Sequence, residues 1–223
     1  MTKLKANSSE FLLQNVSFLK STTNPRNFPS SEIPEIAIVG RSNAGKSSVL
    51  NTLCKRKQLA YTSKTPGKTQ LINFFSIIGK ETEIARIIDL PGYGYAKVDK
   101  STKNFWNSSL LKFLLERENL VGIILVTDLR HPLGKLDQNL FLSVCHRSLY
   151  FHLLFNKSDK LKKLKQTQNL NKAIQDFFNN MPKSSKKVSY STFSSTKKIG
   201  IDELSSVLDS WLVQNSIHSN HLS

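Results

Sequence analysis

The residues with the clearest chemistry lie at positions 40–47, where the chain reads Gly40-Arg41-Ser42-Asn43-Ala44-Gly45-Lys46-Ser47. This stretch matches the phosphate-binding loop pattern G-x-x-x-x-G-K-[ST] at every constrained position. Because glycine lacks Cβ, the loop backbone can approach phosphate oxygens closely. Lys46 is predicted to reach the β- and γ-phosphates of a nucleotide, and the Ser47 hydroxyl to ligate Mg²⁺. The alternative is a glycine turn that binds nothing.

A second glycine-bearing segment, Asp89-Leu90-Pro91-Gly92, follows the apolar run Ile84–Ile88. An acid at the end of such a strand can bind Mg²⁺ through water, and a glycine N–H can contact the γ-phosphate. Taken alone, the segment also fits an ordinary Pro-Gly turn. Together with the loop at 40–47, it predicts Asp89 as a water-mediated metal ligand.

The segment Asn156-Lys157-Ser158-Asp159 predicts which base is bound. The Asp159 carboxylate can accept two hydrogen bonds from N1 and N2 of guanine, a donor pair that adenine lacks. Asn156 is predicted to contact the base and hold the phosphate loop, and the stem of Lys157 to lie along the base. A lysine-rich, solvated helix start is the alternative for this segment. The weaker motif Phe193-Ser194-Ser195 can offer a backbone N–H to guanine O6.

Alternating strands and helices must hold these segments. The predicted elements are a strand at 36–39, a helix from 47, a hairpin at 71–78 and 84–88, a helix at 102–115, a strand at 123–126, a helix at 136–145, a strand at 150–155, a helix at 161–179, a strand at 188–193 and a helix from 201. This order is typical of a three-layer α/β domain with a mostly parallel central sheet flanked by helices. In such sheets, ligands bind at the carboxyl ends of the strands.

The flanks of this domain have a different character. Residues 1–33 are predicted to be an N-terminal extension that packs on the domain through a short amphipathic helix containing Phe11, Leu12, Val16 and Leu19. Residues 34–214 are predicted to form the nucleotide-binding domain. Residues 215–223 are polar and are predicted to be a frayed tail.

The chain carries 32 Lys and Arg against 16 Asp and Glu, a net charge of +16. This excess of positive charge favours a polyanionic partner, and RNA is the first candidate. The alternatives are binding to an anionic membrane surface, or a charge that serves only to keep the protein soluble. The two cysteines form no motif, and no segment resembles a signal peptide. We therefore predict a cytoplasmic monomer with no stable membrane association.

Longer motifs carry a family resemblance. They are Thr65-Pro66-Gly67-Lys68-Thr69-Gln70-Leu71-Ile72-Asn73-Phe74-Phe75 and Asp89-Leu90-Pro91-Gly92-Tyr93-Gly94-Tyr95-Ala96, with the loop at 40–47 and Phe193-Ser194-Ser195. The chain resembles the translation-factor-like GTPases, and among them the EngB/YihA family of bacterial GTPases. That family acts in assembly of the large ribosomal subunit and is linked in some species to cell division and septum formation. The resemblance covers residues 34–212 and implies a P-loop NTPase fold of the Ras-like GTPase type.

The resemblance also implies roles for the segment Gly67-Lys68-Thr69-Gln70-Leu71, as a nucleotide-binding switch. Thr69 would supply the second protein ligand of Mg²⁺, whereas chemistry alone leaves Thr62, Thr65 and Thr69 as candidates. The catalytic residues implied are Lys46, Thr69 and Gly92. Lys68 replaces an arginine common in the family, which keeps the charge but loses the fork geometry.

Hydrolysis of GTP is expected to be slow. Many small GTPases orient the attacking water with a glutamine after D-x-x-G, and Tyr93 occupies that position here. In a potassium-activated group of GTPases, an asparagine matching Asn43 ligates K⁺; bracing of the loop is the alternative role.

Two other functions compete with this interpretation. One is a P-loop kinase or ATPase, against which Asp159 argues. The other is a membrane-associated division factor, for which no long amphipathic anchor is evident.

Overall fold

A seven-stranded sheet forms the centre of the computed structural model, which describes residues 13, 15–29, 32–60, 71–80, 82–94, 109–182 and 187–219. The strands are β1 (Val16–Thr22), β2 (Glu35–Gly40), β3 (Ile72–Ile78), β4 (Glu83–Asp89), β5 (Leu120–Asp128), β6 (Tyr150–Asn156) and β7 (Val188–Thr192). The helices are α1 (Lys46–Leu53), α2 (Lys135–Val144), α3 (Lys163–Asn179) and α4 (Ile201–Ser219). Residues 109–116 are also helical and form part of the helix predicted at 102–115.

The strand order is β1-β3-β4-β2-β5-β6-β7. The pairs β4–β2, β2–β5, β5–β6 and β6–β7 are parallel, whereas β1–β3 and β3–β4 are antiparallel. The predicted mostly parallel sheet and the hairpin of β3 and β4 are therefore confirmed. The carboxyl ends of β2, β4, β5, β6 and β7 share one edge, where the chemistry-bearing segments begin.

Two apolar clusters cover the two faces of the sheet. In β2, Ala37 and Val39 face one cluster while Ile36 and Ile38 face the other, because successive side chains of a strand point to opposite faces. Helices α2 and α3 pack on the first face, and α1 and α4 pack on the second. The three-layer P-loop fold predicted from the sequence is confirmed. Among the described residues, no helix has the length and apolar character needed to cross a bilayer.

The amphipathic helix predicted near the N-terminus is wrong over residues 16–22, which form β1. This strand pairs antiparallel with β3, from Val16 opposite Ile77 to Thr22 opposite Ile72. The spacing of Val16 and Leu19 suits a helix, but Val16, Phe18 and Thr22 also favour a strand. Pairing satisfies the backbone groups of β1 that face β3, so the tertiary context decides between helix and strand. Phe11 and Leu12 lie outside the described residues.

The polar tail was predicted to begin at Asn215, but α4 continues to Ser219. Trp211, on the preceding turns of this helix, is 4% exposed. A Cβ at Gly122 would lie 2.4 Å from the Trp211 ring, so β5 lets the helix pack directly on its backbone. This packing anchors α4 on the sheet, and the helix continues through residues 215–219 of the polar tail without interruption.

Stability is expected to fall at mildly acidic pH because His152 of β6 is 1% exposed. Burial lowers the pKa of His152 from 6.5 to about 4, and its ring nitrogens lie 2.8 and 2.9 Å from the hydroxyls of Ser189 and Ser191. In the unfolded chain His152 is protonated below about pH 6.5, whereas in the folded chain it stays neutral down to about pH 4. Between pH 7 and pH 5 the free energy of unfolding should drop by about 2 kcal/mol from this residue.

Urea unfolding at the two pH values checks this expectation. His152→Gln should lack this part of the pH dependence, whereas His146→Gln, at an exposed position, should retain it. An equal pH dependence in wild type and His152→Gln would contradict the assignment.

Candidate nucleotide-binding site

The phosphate loop connects the end of β2 to the start of α1. Gly45 precedes the helix with φ 98° and ψ 25°, a left-handed conformation that favours glycine. A Cβ at Gly45 would also lie 2.4 Å from Nδ2 of Asn156. That amide nitrogen donates to the carbonyl of Ala44 at 2.9 Å, so the end of β6 holds the loop directly. Backbone N–H groups at this helix start form a natural site for phosphate oxygens.

Lys46, Ser47 and Asp89 lie together behind the loop. Lys46 Nζ donates to the carbonyl of Gly40 at 3.4 Å, and the Ser47 hydroxyl donates to Asp89 Oδ2 at 3.4 Å. Burial raises the pKa of Asp89, against the opposing effect of Lys46, and burial lowers the pKa of Lys46. Oδ1 of Asp89 is buried and has no hydrogen-bond partner among the described residues. A buried, unpartnered carboxylate oxygen beside a hydroxyl suits the oxygen coordination that Mg²⁺ or its water requires.

Gly92 lies against the phosphate loop. Its carbonyl accepts from the Ser42 hydroxyl at 3.3 Å, and a Cβ at Gly92 would lie 3.0 Å from Lys46 Nζ. Leu90, two residues earlier, is buried and its N–H donates to the carbonyl of Ile38 at 3.1 Å. The segment Asp89–Gly92 is thus held beside the phosphate loop, and the contact of Gly92 with a γ-phosphate stays a prediction.

The hydroxyl of Tyr93 forms a hydrogen bond inside the protein that the sequence did not indicate. The hydroxyl donates to Asp137 Oδ1 at 2.5 Å, and the other carboxylate oxygen accepts from the N–H of Gly134 at 2.9 Å. Burial and the Asp137 charge raise the pKa of Tyr93. Gly134 has no side chain that could cap the helix, so only the bond from its N–H to Asp137 is formed; the signal in the sequence is an acid in the first turn of α2, a position that acids favour. The pairing with Tyr93 required the fold.

Arg41 lies in the phosphate loop, but its side chain extends away from it. Its Nε is 3.4 Å from the position that a Cβ on Gly94 would take, and a guanidinium nitrogen is 3.4 Å from the corresponding position on Gly134. The guanidinium therefore lies beside the start of α2. No arginine finger was assigned from the sequence, and this geometry does not supply one.

The segment after β6 forms the other end of the site. The Ser194 hydroxyl donates to Asp159 Oδ1 at 2.6 Å, and this bond lowers the pKa of Asp159, which keeps the carboxylate charged. The side chain of Asp159 is 7% exposed. The N–H of Ser158 donates to the carbonyl of Phe193 at 3.1 Å. The loop Phe193-Ser194-Ser195 thus lies against Asn156–Asp159, as the sequence predicted.

Two more buried oxygens in this region have no hydrogen-bond partner within the part of the chain that the structure describes. They are Oδ1 of Asn156 and Oγ of Ser195. Because buried polar atoms normally form hydrogen bonds, these oxygens suit a polar ligand. Gly67, Lys68, Thr69 and Gln70 lie outside the described residues. Leu71, the last residue of that predicted segment, is 43% exposed just before β3.

Sequence comparison identifies clear relatives. The family model described as 50S ribosome-binding GTPase matches residues 35–157. A probable GTP-binding protein EngB of Polynucleobacter asymbioticus is 38% identical over 211 residues, which is 92% of this chain and 96% of that protein. Another, of Vibrio parahaemolyticus, is 42% identical over 208 residues, which is 92% of this chain and 90% of that protein.

Solved structures share the fold. A crystal structure of a probable GTP-binding protein engB has a TM-score of 0.62 at 22% identity and covers 81% of this chain and 99% of that chain. Era in complex with MgGDPNP and a fragment of 16S ribosomal RNA has a TM-score of 0.59 at 22% identity, covering 82% of this chain and 57% of that chain. The structures support the architecture, and the relatives match nearly the whole length. The chain therefore belongs to the EngB family of P-loop GTPases.

Proposed function

We propose that the protein binds GTP and GDP at the loops after β2, β4, β6 and β7, and hydrolyses GTP to GDP and phosphate. The proposal rests on a set of buried oxygens, at both ends of one site, for which the described residues provide no hydrogen-bond partner. Asp89 Oδ1 lies at the phosphate end, and Asn156 Oδ1 lies near the predicted base end. A nucleotide with its magnesium ion gives both ends a partner. Hydrolysis follows from membership of a GTPase family.

The phosphate end combines positive charge with backbone donors. Lys46 neutralises the β- and γ-phosphates, and the N–H groups at the start of α1 hold their oxygens. Ser47 and Thr69 are the proposed direct ligands of Mg²⁺, and Asp89 acts through water. The ion would neutralise charge on the phosphate oxygens. Gly92 lies close enough to Lys46 to offer its N–H to the γ-phosphate.

Free protein is expected to hydrolyse GTP slowly, because the Tyr93 hydroxyl is bonded to Asp137 and no amide stands at this position to orient water. Single-turnover hydrolysis measured without ribosomes checks this, and a fast rate would contradict it.

The same assay in KCl and in NaCl tests the proposed K⁺ at Asn43. Equal rates would count against the ion and favour the bracing role of Asn43.

We propose that the protein is a nucleotide-controlled switch in assembly of the large ribosomal subunit, with the family's link to cell division and septum formation. The matched family model is described as ribosome-binding, and the net charge is +16. Lysines provide the contacts to RNA phosphates that such binding needs. The predicted cytoplasmic location, monomeric state and lack of stable membrane association stay predictions, as do the domain limits at 34 and 214.

Co-sedimentation with large ribosomal subunits tests this role. Binding should be stronger with a non-hydrolysable GTP analogue than with GDP, and it should weaken steeply as salt is raised, because each phosphate contact releases counterions. Small subunits provide the control for specificity. Association that ignores the nucleotide, or that survives high salt unchanged, would contradict the proposal. Binding to anionic vesicles in place of ribosomal particles would favour the membrane alternative.

A further inference from the structure

Asp128 is an acid at the nucleotide edge of the sheet that none of the motifs includes. It is the last residue of β5 and pairs in register with Asn156, the last residue of β6. Its side chain is 17% exposed. A strand end beside the N-K-x-D segment places a carboxylate next to the residues predicted to hold the base.

The Asp128 carboxylate forms ion pairs with two basic side chains, those of Lys157 and Arg130. Lys157 Nζ lies 3.0 Å from Oδ2, while Nε and a terminal nitrogen of Arg130 lie 2.9 and 2.6 Å from Oδ1 and Oδ2. The backbone N–H of Arg130 also donates to Oδ1 at 3.0 Å. Burial alone would raise the pKa of Asp128, but the Arg130 hydrogen bonds and Lys157 hold it well below its usual range. The carboxylate is therefore charged and fixed in one orientation.

Lys157 connects this carboxylate to the phosphate loop. Its ammonium donates to the carbonyl of Asn43 at 2.6 Å while it contacts Asp128. Its backbone is left-handed, with φ 61°, and Cε lies 3.9 Å from the position that a Cβ on Gly45 would take. With both ends of the side chain held, the methylene stem between them has little freedom.

We propose that Asp128 is a positioning residue for guanine-nucleotide binding and acts by holding the Lys157 ammonium, so that the lysine stem is ordered before the base arrives. This inference rests on the proposed function of the site. A lysine side chain has high rotamer entropy, and ordering it in the free protein removes that cost from nucleotide binding. The carbonyl of Asn43 is a neutral acceptor, whereas Asp128 supplies the stronger charge-assisted bond.

The competing reading is an ion-pair cluster that only stabilises the loop after β5. Arg130 is 43% exposed and Lys157 is 27% exposed, and ion pairs near solvent often contribute little. A role in local structure alone would change the thermal midpoint of the nucleotide-free protein. A positioning role predicts instead an effect on nucleotide affinity that requires Lys157.

A double-mutant cycle separates the two readings. The variants are Asp128→Asn, Lys157→Met and both together, and the probe is GDP with a fluorescent label on its ribose. Asp128→Asn should weaken GDP binding about tenfold in the wild-type background and less than about twofold in the Lys157→Met background. Its nucleotide-free thermal midpoint should stay close to that of wild type. If the variant does not fold, Asp128→Glu, which displaces the charge by one methylene, replaces it in the cycle.

Arg130→Gln is the matched control, since it removes the other cation of the same carboxylate. It should leave GDP affinity within about threefold of wild type, because the backbone N–H of Arg130 still orients Asp128. An equal loss from Asp128→Asn in both Lys157 backgrounds, or no loss in either, would overturn the inference. Failure of the wild-type protein to bind GDP would instead overturn the proposed function, so the two failures are distinguishable.

Discussion

Asp159→Asn is expected to weaken GTP binding by about 10³-fold or more and to permit binding of xanthosine triphosphate. In the proposed site the Asp159 carboxylate would accept hydrogen bonds from guanine N1 and N2, whereas the NH₂ group of an asparagine would face these donors with another donor. Xanthine carries an acceptor at position 2, so the amide nitrogen can donate to it. The Ser194 hydroxyl, which now donates to Oδ1 at 2.6 Å, can still donate to an amide oxygen. The local fold should therefore survive the change.

Competition between labelled GDP and unlabelled GTP, ATP or xanthosine triphosphate checks this result. Lys160→Gln is the control, because its ammonium lies 3.6 Å from Asp159 Oδ2 and it is exposed. That variant should keep the preference for guanine. Unchanged GTP affinity in Asp159→Asn would contradict the assignment of the base. Equal competition by ATP and GTP in the wild-type protein would favour the kinase or ATPase alternative.

Gly45→Ala is expected to weaken nucleotide binding by about 10²-fold and to lower the free energy of unfolding by roughly 2–4 kcal/mol. Two independent causes act together. The left-handed backbone at φ 98° is strained for alanine, and the new Cβ would lie 2.4 Å from Asn156 Nδ2. Asn156 would have to leave the carbonyl of Ala44, and the phosphate loop would lose its link to β6.

Urea unfolding and GDP affinity measured together test this expectation. The double variant Gly45→Ala with Asn156→Ala removes the amide that the new methyl group meets. The substitution Gly45→Ala should therefore lower the free energy of unfolding less when residue 156 is already alanine than it does in the wild-type protein. Equal losses would show that backbone strain alone matters. A Gly45→Ala protein with wild-type stability and affinity would contradict the geometry of the loop.

The sequence predicted the site best where one short pattern fixes the local geometry. The loop at 40–47 and Asn156–Asp159 were placed correctly because parallel strands bring their carboxyl ends to one edge. Asp128 and Asp137 could not be found in this way, since each is a single acid that reaches the site through a residue distant in sequence, Lys157 and Tyr93 respectively. Residues 16–22 were misassigned because their choice between helix and strand depends on the β3 edge, which is 50 or more residues away.

Strand β1 has a practical consequence for how the protein is produced. The motifs suggest a minimal domain beginning at residue 34, but such a truncation would remove β1. It would then expose the outer backbone groups of β3, a strand that contains Phe74, Phe75 and Ile77. An open strand edge of this composition invites edge-to-edge pairing between molecules. Proteolytic cleavage between β1 and β2, or a fusion partner joined at residue 34, would therefore yield an aggregation-prone chain with its nucleotide motifs intact.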